Sequence, residues 1–471
     1  MHHIEQVYIN GEFVTPHGTE RFDLYNPATA RVIGQVRLAD AVDGERAIAA
    51  ASAAFPAWSK TTKQVRIAAL QRMHAAVAAR HDDLLEAVVE EYGAPASRSA
   101  WMASYPAEVI AQAIEALEAF EFTTVAGAAR VEMTPLGVAG LITPWNSDAG
   151  FICGKLAAAL AAGCTAVIKP SEMSALQTQI VTEALHAADL PPGVFNIVTG
   201  RGDTVGETIS RHPHVAKISF TGSTRTGKAI LRNAAENFTR VTLELGGKSP
   251  TLILEDADIR QAVPLAIQAG LMNSGQACVA GTRILVPQSR KTEFEQALAQ
   301  AVAAVVSGDP RDAKTVVGPM VSEKQWQRVQ GYIQKGLVEG ARLLAGGVGR
   351  PEGTRDGWFV RPTLFTDVHN QMAIAREEIF GPVLCVIAYR DEAEAIAIAN
   401  DTDYGLSALV LGGDSGRARR VAQQIQAGRV LVNTLTHEPK APFGGFKHSG
   451  VGREMGAWGI SAFMEPKTIL G

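Results

Sequence analysis

The chain has 471 residues, 46% of them apolar and 20% charged, with 44 Lys and Arg against 48 Asp and Glu and a formal charge of −4. That length exceeds one hydrophobic core and points to two or three domains, and the balanced charge gives no reason to expect nucleic acid or an anionic membrane as partner. The longest apolar run, LAAALAAGCTAVI (156–168), falls short of the ~20 residues that span a bilayer; the start MHHIEQVYIN carries no leader-like apolar stretch, and four scattered cysteines without a C-x-x-C pair fit a reducing cytoplasm.

Taken in chain order, QVYINGEFV carries an Asn-Gly hairpin signal and YNPAT a proline turn. Residues 40–118 are Ala-rich with helical periodicity. The segment AFEFTTVAGAARVEMTP (119–135) is β-like and stands outside the pattern that follows it. From GVAGLI (137–142) onward, short apolar runs alternate with helical stretches: TAVIKP, GVFNIVTG and VAKISFTG are the next strands. This alternation predicts βαβ units and a parallel sheet buried on both faces. It resumes after 250 with SPTLILED, RILVPQS, PVLCVIAYR, LSALVLGG and RVLVN, which predicts a second α/β domain. RHPH (211–214) places two histidines two apart without a third ligand and reads as a surface loop, so no metal is expected.

Residues that follow parallel strands gather at the sheet's carboxyl edge, where α/β folds bind ligands. Cys278, in NSGQACVAGTR (273–283), has small neighbours and abundant backbone N–H groups; it is either a buried inert thiol or an accessible nucleophile. Cys153, Cys164 and Cys385 lie in helical or strand stretches and fit the inert role better. Glu244 of VTLELGGKSP ends a strand and is a general-base candidate or a solvated loop acid. Asn146 of LITPWNSDAG offers an amide to a developing oxyanion or belongs to a plain turn. FTGSTRTGK (220–228) is a strand, a Gly-Ser turn and a helix start suited to phosphate, and IKPSE (168–172) sets Lys169 and Glu172 beyond another strand, where an acid can meet ribose hydroxyls or Ser171 can simply cap a helix.

Together, TPWN, KPSE, FTGSTRTG, ELGGK, GQACVAGTR, EEIFGPV and PFGGFKHSG resemble, in order and separation, the aldehyde dehydrogenase superfamily almost end to end. The resemblance implies an α/β fold: a Rossmann-like nucleotide-binding domain (1–118 and 136–246), an α/β catalytic domain (247–435) and a small β oligomerisation element (119–135 and 455–471). It implies a homodimer or homotetramer, with the tail SAFMEPKTIL adding a strand to a neighbour's sheet. It implies aldehyde oxidation with NAD, NADP being possible: Cys278 forms a thiohemiacetal and then a thioester, Asn146 holds the oxyanion, and Glu244 activates the hydrolytic water. Glu378 and Phe380 are expected at the nicotinamide ribose and ring, Lys169 and Glu172 at the adenosine ribose, and Ser223 and Trp145 along the nucleotide channel. Ser171, Gly202, Phe220, Gly222, Glu244 and Leu245 complete the expected cofactor contacts. Lys155 and Glu454 match positions that carry a proton from Glu244, or form a salt bridge between domains.

The chain departs from the family's pattern at Ser147 and Asp148, where relatives carry a bulky residue and proline, and at Gly154, often aromatic. A tunnel wide enough for an aromatic or branched aldehyde is expected, unless Phe151 or Met272 fills the space. In NTLTHEPKAPFGG, Lys440 either steers a semialdehyde carboxylate or is a solvated charge offset by Glu438. A CoA-acylating relative of the same fold generally lacks the Glu244 base, and a non-catalytic NAD-binding protein of this fold has no need of Cys278, Asn146 and Glu244 together.

Overall fold

Continuous apolar runs become strands, most of them buried on both faces. A computed structural model describes residues 1–471, the side chain of Ser97 excepted. Val138–Ile142, Thr165–Lys169, Phe195–Ile197, Val215–Thr221 and Arg240–Glu244 form the parallel part of an eight-stranded sheet. Their spatial order puts the first and fourth of these strands side by side, with the second and third beyond the first and the fifth beyond the fourth. Strand order reverses at that junction, and a crevice opens there beyond the carboxyl ends. Ile142 pairs with Phe220 and with Lys169, and Thr221 with Glu244, so the segments that follow these strands emerge side by side.

The predicted Asn-Gly hairpin is present: Val7–Ile9 pairs with Glu12–Val14, and Asn10 and Gly11 take φ of 54° and 86°. Both positive angles are what a two-residue turn with the strands' twist requires. Residues 40–118 are helical, ending in the 24-residue helix Ala96–Ala119, which packs along Asp148–Ala162. No helix among the described residues is long and apolar enough to cross a membrane.

The second sheet has seven strands; Pro250–Ile253, Arg283–Pro287, Val383–Tyr389, Ser407–Leu411 and Arg429–Val432 coincide with the predicted runs. Two further strands, Thr363–Thr366 and Arg342–Ala345, extend it on one side. The short pair Gly450–Val451 returns the chain to the first sheet, antiparallel to Leu243 and Glu244. That return carries the region around 454 back to the strand end at Glu244.

The tail strand has a partner within its own chain. Met464–Ile469 pairs antiparallel with Ala129–Pro135 of its own chain, from Met464 opposite Pro135 to Ile469 opposite Arg130. The tail strand and Thr123–Ala126 are the two edges of this three-stranded sheet, with Ala129–Pro135 between them.

Candidate active site

Five residues from separate elements line one cavity of about 600 Å³: Asn146, Lys155, Glu244, Cys278 and Glu454. Asn146 follows strand Val138–Ile142, Lys155 lies in the helix Asp148–Ala162, and Glu244 ends strand Arg240–Glu244. Cys278 sits on the turn between helix Ile259–Leu271 and strand Arg283–Pro287.

That turn is held under strain. Asn273 and Ser274 have φ of 53° and 60°, a left-handed backbone that side chains other than glycine rarely adopt. Side chains compensate: Asn273 Nδ2 donates to the carbonyls of Asn146 (3.1 Å) and Gln276 (3.2 Å), and Ser274 Oγ accepts from Gly318 N at 2.9 Å. Gln276 is buried and clamped, with its Oε1 accepting from Val321 N at 3.0 Å and its Nε2 donating to Pro319 O at 3.3 Å. Asn146 Nδ2 donates one hydrogen to Gln276 O at 3.0 Å, and its second N–H remains for an oxygen in the cavity. Gln276 and Asn273 carried no signal of this role in the sequence beyond their nearness to Cys278.

The glycine pair after Glu244 permits close approach. A Cβ on Gly246 would lie 2.4 Å from Glu378 Oε2, and one on Gly247 would lie 2.4 Å from the Cys278 carbonyl oxygen. The small residues therefore let the Cys278 turn and the Glu378 carboxyl converge on the strand end.

Electrostatics follow from burial. Glu244 is 3% exposed and neither carboxyl oxygen has a hydrogen-bond partner; burial first, and then the facing charge of Glu454, raise its pKa well above the ordinary range, against the pull of Lys155 and Arg453. Burial, Glu378 and Glu244 push the Cys278 thiol up to about 12, opposed by Arg429 and a backbone hydrogen bond. The thiol is thus protonated at rest. Lys155 Nζ pairs with Glu454 Oε1 at 2.5 Å and donates to Ser219 Oγ at 2.9 Å, and Ser219 Oγ donates to the same Glu454 oxygen at 2.7 Å. The ion pair expected as one alternative is present, with Ser219 as an unanticipated third member, and it faces Glu244.

The second group of residues lies along the carboxyl edge of the first sheet. Lys169 Nζ stands 3.2 Å from Glu172 Oε2, and Ser171 Oγ caps the turn that begins at Glu172. Burial alone would raise Glu172, but Lys169 and Arg201 outweigh it and its pKa is lowered. Arg201 is committed to Glu20 (2.7 Å) and Glu172 (3.4 Å), and Gly202 opens the short helical turn that follows it. Ser223 Oγ accepts from Thr226 N and caps helix Thr224–Ala235; the Phe220 ring is buried beneath Gly222, and Leu245 lies against Gly227. Trp145 and Phe380 meet edge to face with centroids 5.4 Å apart. Phe380 has φ of 63°, and Gln325 Nε2 holds it by donating to Phe380 O at 2.7 Å. Glu378 Oε1 accepts from Gly247 N at 3.1 Å, and burial lifts its carboxyl to about 7.

These residues fit a dinucleotide. Thr221 Oγ1, at the end of the fourth strand, is buried without a hydrogen-bond partner; a helix N-terminus starts beside it at the point where strand order reverses, and a lysine–carboxylate pair stands at the second strand end.

Lys440 takes the second of its two expected roles, a solvated charge, with Glu115 rather than Glu438 as the facing acid. Its side chain is 76% exposed and its Nζ lies 3.2 Å from Glu115 Oε2, and it is absent from the cavity lining, whereas His437 lines it. Ser147 and Gly154 line the cavity as expected, and so do Phe151 and Met272.

A Rossmann-ordered sheet that opens onto a cysteine-lined cavity defines a nucleotide-dependent α/β enzyme. Residues 13–469 match the model of the aldehyde dehydrogenase family, and the chain belongs to that family of oxidoreductases. It is 43% identical over 473 residues to the 3-succinoylsemialdehyde-pyridine dehydrogenase of a Pseudomonas species, covering 100% of this chain and 99% of that one. Among solved structures, a mutant of aldehyde dehydrogenase C from Pseudomonas syringae, in complex with NAD+ and octanal, superposes with a TM-score of 0.97 at 45% identity, over 99% of this chain and 96% of the other. An aldehyde dehydrogenase of Mycobacterium tuberculosis complexed with NAD+ gives 0.96 at 39% identity, over 99% and 98%.

Proposed function

We propose that the protein oxidises an aldehyde to the carboxylic acid with NAD, through an acyl group carried on Cys278. The observation that carries this reading is the convergence of Cys278, Asn146 and Glu244 on one cavity beside the dinucleotide-type edge. Cys278 Sγ, once deprotonated, adds to the aldehyde carbon, and the free Asn146 N–H together with the Cys278 backbone N–H holds the resulting oxyanion. When bound, the dinucleotide supplies the acceptor for the hydride that leaves this carbon. Cys278 is left as a thioester. Glu244, ionised, takes a proton from water as the water attacks the thioester; the C–S bond breaks, the acid leaves, and the proton returned from Glu244 to the sulfur restores the thiol.

Lys169, Ser171, Glu172 and Ser223 are proposed to hold the adenosine and phosphate half, with Gly202, Phe220, Gly222 and Leu245 shaping the groove. Trp145, Glu378 and Phe380 are proposed to hold the nicotinamide half. Glu172 disfavours a 2′-phosphate, and Arg201, engaged with two acids, is not free to receive one. The substrate is proposed to be an aromatic, branched or semialdehyde-type aldehyde, supported by Ser147 and Gly154 in the wall of a cavity of about 600 Å³. Residues 1–118 and 136–246 are proposed as the nucleotide-binding domain and 247–435 as the catalytic domain. The sheet of 119–135 and the tail is proposed as the contact between copies in a homodimer or homotetramer, through the exposed edge Thr123–Ala126. All four cysteines are free, which suits the cytoplasm.

Benzaldehyde with NAD is expected to yield NADH absorbance and benzoate at the same rate with or without CoA. NADP is expected to support a kcat/KM at least about tenfold lower, the factor set by ~1.4 kcal/mol of repulsion. Equal use of both cofactors would refute the role given to Glu172; an acyl-CoA product would refute hydrolysis.

Glu454→Gln removes the charge that, after burial, most raises Glu244 and leaves Lys155 unpaired. The acid limb of the pH–rate profile is therefore expected to shift to lower pH. A limb that stays in place would rule out electrostatic control of Glu244 by this pair.

A further inference from the structure

Two guanidinium groups stand in the cavity wall without an acid to pair with. Arg98, in the first turn of helix Ala96–Ala119, lies with Cζ 3.7 Å from the centre of the Trp101 ring, and its Nε is buried without a hydrogen-bond partner. Arg429, which opens strand Arg429–Val432, donates from Nε and Nη2 to Ser407 Oγ, both at 3.2 Å, and its Nη1 lies 3.4 Å from His437 Nδ1. Other arginines satisfy their donors either on carboxylates, as Arg376 does with Asp401, or on carbonyls, as Arg66 does with Ala161, Ala162 and Ser59; Arg98 Nε has neither. The titratable groups beside Arg98 are Tyr92 and Tyr105, and those beside Arg429 are Cys278 and His437; none is a carboxylate.

The acids of the lining are already accounted for. Glu244 faces the thiol, Glu454 is paired with Lys155, and Glu108 lies on the exposed side of its helix. Most of what remains is apolar: Trp101, Val109, Phe151, Met272 and Leu431. Both guanidinium groups are partly buried, and a cation half withdrawn from water into such a wall gains from an anion that meets it. A guanidinium with unused, coplanar donors matches a carboxylate better than any neutral group.

We propose, on the reading of this cavity as an aldehyde-oxidising site, that the preferred aldehyde carries a carboxylate remote from its aldehyde carbon, bound by Arg98 and Arg429, while its apolar body lies against Trp101 and Phe151. Oxidation then gives a dicarboxylate. The two arginines supply the cation that Lys440, turned to solvent, does not.

The test is the ratio of kcat/KM for 4-carboxybenzaldehyde over benzaldehyde, and for succinic semialdehyde over butanal. Ratios are the readout because Arg429 also favours the Cys278 thiolate, so its loss slows every aldehyde, and because a ratio is insensitive to the folded fraction. In the parent enzyme at least one ratio is expected to exceed about tenfold, and Arg98→Gln and Arg429→Gln are each expected to lower it about tenfold or more through KM for the acid, with partial recovery in Arg98→Lys and Arg429→Lys. Ratios at or below one in the parent, or ratios that neither glutamine substitution lowers, overturn the proposal. Benzaldehyde and butanal are still oxidised in that case, which separates it from failure of the aldehyde-oxidising reading, where no aldehyde yields NADH.

Discussion

Cys278→Ser is expected to lower aldehyde oxidation by about 10⁴-fold or more, the scale on which enzymes respond to loss of a covalent nucleophile. The oxygen is the weaker nucleophile at neutral pH and the worse leaving group when water clears the acyl intermediate. The side chain is nearly isosteric, so a thermal unfolding midpoint close to the parent's would show that chemistry rather than folding is lost. Alkylation gives an independent readout. Cys153, Cys164 and Cys385 are fully buried and Cys278 is partly accessible, so iodoacetamide is expected to add one equivalent and abolish activity. With the thiol pushed up to about 12, its thiolate fraction grows about tenfold per pH unit across the neutral range, and the alkylation rate should climb with it. Alkylation elsewhere with retained activity, or undiminished turnover by the serine variant, would remove Cys278 from the mechanism.

What the sequence revealed and what it concealed divide along a physical line. Strands such as Val138–Ile142 and Thr165–Lys169 are apolar at nearly every position because both faces are covered, so both were readable, and with them the strand ends that carry Asn146 and Glu172. Thr363–Thr366 is also fully buried, but at four residues it is too short for periodicity to separate it from a loop, and Arg342–Ala345 is half exposed at an edge. The tail strand was recognisable as β, but nothing local to it specifies whether its partner is 129–135 of its own chain or of another. Arg98 and Arg429 are 331 positions apart and sit in no motif; only the tertiary fold brings both to the lining of one cavity. Lys440 shows the same limit in reverse, since its two readings could not be separated by spacing alone. Glu115, on helix Ala96–Ala119, captures it outside the cavity, a contact that no spacing in the sequence announces.

Glu244→Gln is expected to depress the steady-state rate by about 10²–10⁴-fold, the contribution typical of a positioned general base, while leaving the first turnover intact. The amide keeps the shape of the carboxyl but cannot take a proton from water. A burst of about one NADH per site should therefore precede a stalled steady state, and hydroxylamine should intercept the stalled thioester as a hydroxamate. The pH profile adds a sign. Burial and Glu454 raise the Glu244 pKa, so the protonated, incompetent form persists to higher pH than for an ordinary carboxyl, and the parent's deacylation gains rate as pH rises through that raised value. In the glutamine variant this limb should vanish. Stability should hold or improve, because neither oxygen of Glu244 has a hydrogen-bond partner to lose and a buried ionisable group is exchanged for a neutral one. Loss of the burst together with the steady state would assign Glu244 to deprotonation of Cys278 instead, and an unaltered steady state would leave water activation to another group.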